Sequence, residues 1–146
     1  MAKHSNQNSP CPKCAELFAA YPGVSEVIKS WFFSVQKQIK NFHIAEAGRG
    51  KAKQEEHVAN KRSRAGWTKS AHNWNCAIDT FFVDKLGKLS YSVNEYEEVK
   101  KLLIPEIEWY GHEEYRGRKD KFFEKPHFEV KNWKELRDQG KIKLVE

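Results

Sequence analysis

His72 and Asp79 lie in a stretch, Ser70 to Asp79, that carries no other ionisable carboxylate or cation. Thr80-Phe81-Phe82-Val83 follows at once and reads as a buried strand. A carboxylate leading into such a strand needs a partner, because an unpaired buried charge costs several kcal/mol or shifts its pKa to neutralise. A divalent metal shared with His72 supplies one. A hydrolytic zinc centre takes three protein ligands from His and Asp/Glu and keeps a fourth position for water. His127 completes that set by composition. Glu124 stands three residues before it, and Pro126 restricts the backbone between them. A carboxylate so placed can act as a base without ligating the metal. The chemistry would be metal-assisted hydrolysis. The metal brings the pKa of bound water toward about 7 and polarises the carbonyl under attack. The base moves the proton to the leaving amine. His112 is a competing ligand, placed after Gly111 in a polar loop, while His43 and His57 read as structural or surface residues. Glu129 lies two residues beyond His127 and shares its strand face. It either orients that histidine or pairs with a nearby lysine.

Stepwise along the chain, Pro22 and Gly23 mark a turn. Val24, Val27, Ile28, Trp31, Phe32, Val35 and Ile39 then recur at helical spacing, which predicts a helix from about Ser25 to Lys40 with Ser25 as its N-cap. Phe42 to Ala45 reads as a short strand, and Gly48-Arg49-Gly50 breaks the chain. Lys51 to Asn60 has helical composition. Lys61 to Trp74 is basic and irregular and reads as a loop at the rim of a site. Ala77 to Val83 is the central strand, followed by a turn or hairpin over Asp84 to Ser92. Asn94 to Glu97 has the form of a capping box, opening a helix that stops near Pro105. Ile107 to Tyr110 and His127 to Val130 read as strands. His112 to Lys121 reads as an exposed loop, and Phe122-Phe123 as a return to the core. Asn132 caps a last helix, with Trp133 and Leu136 inward and Gly140 ending it. Helices and strands mix without regular βαβ alternation. That predicts an α+β fold with a small, largely antiparallel sheet and packed helices.

A chain of 146 residues bounds the expectation to one domain, residues 1–146, with a polar N-terminal segment 1–12 expected to be mobile. Hydrophobic residues at 39% and charged residues at 32% suit a globular chain rather than a disordered one. Cys11, Cys14 and Cys76 are odd in number, so they cannot all pair, and Cys11-Pro-Lys-Cys14 lacks the second C-x-x-C of a zinc ribbon. They read as reduced, structural or incidental thiols of a cytosolically made protein. No apolar run approaches the roughly 20 residues that span a bilayer, and no secretory signal is visible. The net charge of +6 favours polyanionic partners.

Ser70-x-His72-x-x-Asn75-x-Ala77-x-Asp79 resembles the S-x-H-x-x-G-x-A-x-D motif of the zinc peptidases that include VanY-type D-Ala-D-Ala carboxypeptidases and phage L-alanyl-D-glutamate endolysins. Glu124-x-x-His127-Phe128-Glu129 resembles that family's second motif. Ile107 to Gly111 is similar to its tryptophan- and glycine-containing strand, and Arg49 with Gln54 is similar to its upstream Arg–Gln segment. The resemblance covers roughly Ile44 to Val130. It implies a hedgehog/DD-peptidase-like fold and one Zn2+ per chain, held by His72, Asp79 and His127 with Glu124 as base. Arg49 would bind a substrate carbonyl or carboxylate and help stabilise the oxyanion. Ser70, Gln54 and Trp109 would line the substrate site. The departures are Asn75 for the usual Gly, Glu124 for the Asp of many endolysins, and Gly48 for an aromatic residue. Asn tolerates a left-handed backbone better than other non-glycine residues.

The implied function is hydrolysis of an amide in the peptidoglycan stem peptide, L-alanyl-D-glutamate in the endolysin branch, by a monomer. It would be made in a host cytoplasm and reach the wall after holin-type release. The basic surface would suit murein or anionic outer-membrane lipid. A D,D-carboxypeptidase is the alternative, with Arg49 or a residue of Lys61 to Arg64 clamping the terminal carboxylate. A nucleic-acid-binding module would use the basic and aromatic residues between Arg49 and Trp74. It leaves His72, Asp79, Glu124 and His127 without a role, so no nucleic-acid partner is expected.

Overall fold

The computed structural model describes residues 2–63, 65–120 and 123–145. Arg64 and Phe122, expected at the rim and in the core, lie outside the described residues. The described residues form five α-helices and a five-stranded antiparallel sheet, the mixed α+β class expected from the sequence. The helices are α1 (Pro12–Ala19), α2 (Glu26–Gln38), α3 (Lys51–Ala59), α4 (Val93–Lys100) and α5 (Trp133–Asp138). The strands are β1 (Phe42–Glu46), β2 (Ala77–Val83), β3 (Leu89–Ser90), β4 (Ile107–Trp109) and β5 (His127–Val130). The main order is β1-β2-β5-β4, with β3 added to β2.

Period-two alternation sorts the side chains of the sheet. In register across it, Phe42 pairs with Phe82, Ile78 with Phe128, and Trp109 with Phe128. These residues share one face and pack on Trp31 and Phe32 of α2 and on Tyr96 of α4. Full burial of each such aromatic stabilises the fold by about 1.5–3 kcal/mol. The opposite parity sets His43 against Phe81 and Asp79 against His127. That face carries nearly all of the polar chemistry described below.

The α2 boundaries fall within two residues of expectation, with Ser25 at the N-cap position. Its stripe is Ile28, Trp31, Phe32 and Val35, while Val27 is left exposed. Helix α1 was not legible in the sequence. Residues 2–11, expected to be a mobile segment, run against the β1–β2 edge, where Asn6 Nδ2 donates to Val83 O at 3.2 Å. The capping box expected at Asn94 is absent, since α4 begins after Ser92 with no side-chain cap. Such a box occurs instead at Ser70 and Asn73.

Candidate metal centre

Three segments bring the candidate ligands together. Ser70 to Trp74 makes one turn of 3-10 helix, in which Ser70 Oγ accepts from His72 N and Asn73 Oδ1 accepts from Ser70 N. Asn75 ends the turn in the left-handed region, at φ 62° and ψ 27°, the conformation a glycine would otherwise supply. Its side chain donates to Lys143 O at 3.1 Å, which anchors it. The chain then enters β2, where Asp79 lies directly opposite His127 of β5.

His72 Nε2 lies 3.3 Å from Asp79 Oδ1, and His127 Nδ1 lies 3.2 Å from the same oxygen. Two ligands each about 2.0–2.2 Å from one tetrahedral centre stand about 3.4 Å apart, so the set fits a single metal ion. The remote ring nitrogens face acceptors. His72 Nδ1 faces Ala47 O at 3.5 Å, with Glu46 Oε1 at 3.8 Å. His127 Nε2 meets Glu129 Oε1 at 2.8 Å. A metal-binding imidazole keeps its free nitrogen toward the ion when the other N–H is so held. Glu129 is itself fixed, accepting from Tyr110 OH at 3.1 Å and Trp133 Nε1 at 2.8 Å.

In the metal-free protein these groups set one another's protonation. Burial alone pushes the Asp79 carboxyl up, yet His72 and His127 outweigh it and hold the group well below the ordinary range. Burial opposes charge on His127, but hydrogen bonds to Asp79 and Glu129 raise its imidazole to about 10. Burial, then the Asp79 charge, push Glu124 up, against the opposing pull of His127, His72 and Arg49. Glu124 opens on the same cleft of about 560 Å³ as the three ligands. Lys61, Arg62 and Lys69 of the stretch expected as a rim loop line this cleft, as does Lys134, but Ala71–Trp74 of that stretch is a 3-10 helix and Trp74 does not line the cleft.

Arg49 reaches the cleft as expected and is 5% exposed. Its guanidinium donates through Nε to Glu46, through Nη1 to Gln54 Oε1 at 3.1 Å, and lies 3.5 Å from Asp79 Oδ2 through Nη2. Gln54 is wholly buried and also accepts from Asn73 Nδ2 at 3.1 Å. It therefore orients Arg49 and the His72 turn rather than touching substrate. Ser70 lines the cleft, but its hydroxyl caps the turn that carries His72.

Trp109 does not line the cleft. It is in register with Phe128, which puts it on the core face, where it is 2% exposed and donates to Lys125 O at 2.7 Å. Its neighbour Tyr110 has the cleft-facing parity and does line the site. His112 packs on Trp109, with ring centroids 4.8 Å apart, and stands outside the ligand set. Sequence reasoning missed Glu46, Tyr110 and Trp133. Alternation within Ile107 to Tyr110 could have found Tyr110; nothing local pointed to the other two.

No family model matches the chain, and no curated relative matches it. Among solved structures, the crystal structure of Serratia marcescens L-Ala D-Glu endopeptidase ChiX is similar, with a TM-score of 0.64 and 20% sequence identity. The likeness covers 88% of this chain and 90% of that chain. At this identity it is a likeness of fold alone.

Proposed function

We propose that this chain is a zinc-dependent peptidase of the bacterial cell wall, cutting an amide of the peptidoglycan stem peptide, with L-alanyl-D-glutamate as the bond. The observation that carries the reading is the convergence of His72 Nε2 and His127 Nδ1 on Asp79 Oδ1, with Glu124 in the same cleft. The fold shared with an L-Ala D-Glu endopeptidase supports the choice of bond. His72, Asp79 and His127 would hold one zinc ion, which when bound acidifies a water and polarises the scissile carbonyl.

The chain's own groups do the rest. Glu124 accepts a proton from the attacking water and returns it to the departing amine nitrogen. Its raised pKa makes the carboxylate a stronger base for the first half of that transfer. Arg49, held by Glu46 and Gln54, presents fixed positive charge to the developing oxyanion. Glu129 keeps His127 in one tautomer and orientation. Lys61, Arg62 and Lys69 give the rim a charge complementary to an acidic stem peptide. The same basic rim favours a second reading, a D,D-carboxypeptidase that clamps a terminal carboxylate.

Action as a phage endolysin, as a monomer, after release from a host cytoplasm, belongs to the same proposal. No helix among the described residues is long and apolar enough to cross a membrane. Mass analysis of murein digested by the purified protein tests the reading. Fragments split between L-Ala and D-Glu are expected, with chelator abolishing them. Release of D-Ala alone would select the carboxypeptidase, and digestion undiminished by chelation would overturn both.

A further inference from the structure

A second group of metal-type ligands stands apart from the cleft. His4, Cys11, Cys14 and His43 present four ligand atoms that all lie within 4.8 Å of one another. His4 Nδ1 lies 3.6 Å from both Cys11 Sγ and Cys14 Sγ, and His43 Nδ1 lies 3.6 Å from Cys14 Sγ. In a tetrahedral zinc centre, with Zn–S about 2.3 Å and Zn–N about 2.0–2.1 Å, sulfur and nitrogen ligands stand about 3.5–3.6 Å apart. A bare thiol–imidazole contact would explain one such distance, but not three that link all four residues.

Backbone N–H donors face both sulfurs, while burial pushes the metal-free Cys14 thiol up to about 12, so a thiolate there needs a cation beside it. Ser5 N donates to Cys11 Sγ, and Ile44 N donates to Cys14 Sγ, each at 3.4 Å. Gln36 Nε2 lies 3.7 Å from Cys14 Sγ. His43 Nε2, the nitrogen turned away from the cluster, meets Asn6 Oδ1 at 2.6 Å, so its Nδ1 is left toward the sulfurs. Cys11, Cys14 and His43 are fully buried. Two thiolates, two neutral imidazoles and a divalent cation sum to zero charge, the form in which such a group is buried without an uncompensated charge. Four protein ligands leave no open position, the mark of a structural rather than a catalytic site.

We propose that His4, Cys11, Cys14 and His43 form a closed, structural zinc site, which would be the second metal centre of this chain. It fastens the N-terminal segment and the start of α1 to β1. The other end of β1 carries Glu46, which holds Arg49 and faces His72. The site therefore braces the strand that supports the cleft, without sharing a ligand with it. It also gives the C-x-x-C pair its missing partners, one histidine upstream and one in a distant strand. Cys76 belongs to neither group.

Cobalt substitution of the full-length protein tests this. Only a centre with thiolate ligands gives a near-ultraviolet sulfur-to-cobalt charge-transfer band. The band is expected in the wild-type protein and in His127→Ala, and it should be lost in Cys11→Ser and Cys14→Ser. Native mass spectrometry should find about two zinc ions in the wild type and about one in each of these three variants. A cobalt-loaded wild type without the band overturns the proposal, and that measurement needs no variant to fold. Zinc content in the wild type equal to that of Cys14→Ser also overturns it. Failure of the His72 centre alone leaves a different signature, one zinc per wild-type chain with the thiolate band intact.

Discussion

Asp79 and His127, 48 residues apart in sequence, stand directly opposite each other across the β2–β5 pair, with His127 Nδ1 3.2 Å from Asp79 Oδ1. Without metal, this contact and the one to Glu129 keep a proton on the imidazole up to about pH 10. A metal ion that binds Nδ1 would have to displace that proton. Binding at pH 7 is therefore expected to release about one proton from this centre, and affinity should rise as pH rises toward 10. Calorimetry in buffers of different ionisation enthalpy reads the proton count, best in Cys14→Ser, where only this centre binds. A count near zero would show that His127 is neutral before zinc arrives.

The same two groups set the pH dependence of the metal-free fold. His127 has a folded pKa raised above its ordinary value, so its contribution is complete below about pH 6.5 and fades as pH climbs through about 10. Asp79 has a depressed pKa, so its contribution is present above the ordinary carboxylate range and fades as pH falls through its lowered value. In chelated protein the contribution of this pair should thus be largest in mildly acidic solution. The melting temperature of chelated protein should fall further behind that of the zinc-loaded protein as pH is raised from 6.5 toward 10. A gap that does not widen counts against this pair as a zinc site.

Glu129→Gln tests the support of His127. Tyr110 and Trp133 can still donate to the amide oxygen, so the fold should persist. The charge that steadies the imidazole is lost, and zinc affinity at the His72 centre should weaken about 10–100-fold. Competitive titration with a chromophoric chelator measures it. Glu124→Gln should behave oppositely, keeping zinc while kcat falls about 10²–10⁴-fold.

On the proposed function, Gln54 would act on substrate through Arg49, by the 3.1 Å contact between Oε1 and Nη1. Arg49→Lys and Gln54→Ala should each lower kcat/KM, and the double variant should lose less than the sum. A coupling energy of about 0.5–3 kcal/mol is expected from the kinetic cycle. Strict additivity would mean that Gln54 serves only its other partners, the Ser63–Ala65 loop and Asn73.

Gly111 is required by close approach. A Cβ added there would overlap the buried Trp109 indole. That ring is pinned by its bond to Lys125 O and stacked on Phe128, so it cannot swing away. Gly111→Ala should destabilise the protein by about 1–3 kcal/mol in denaturant unfolding. An unchanged midpoint would mean that the Tyr110–Gly111 backbone yields instead.

The sequence by itself determined the residue types and local geometry of the candidate centre. Asn75 marks where the backbone reverses between His72 and Asp79, while the cap at Ser70 became visible only in the structure. Glu124 and His127 are held close by Pro126, and the apolar runs of α2, β2 and β5 follow from periodicity. Pairing between distant strands is not written in any local pattern, because a strand of given parity can meet several partners. Only the tertiary structure placed β2 between β1 and β5, which set Asp79 against His127. It turned Trp109 into the core and Tyr110 into the cleft. It also carried His43 across to a cysteine pair that looked incomplete, since four ligands from three segments converge only when β1 and the N-terminal segment pack together.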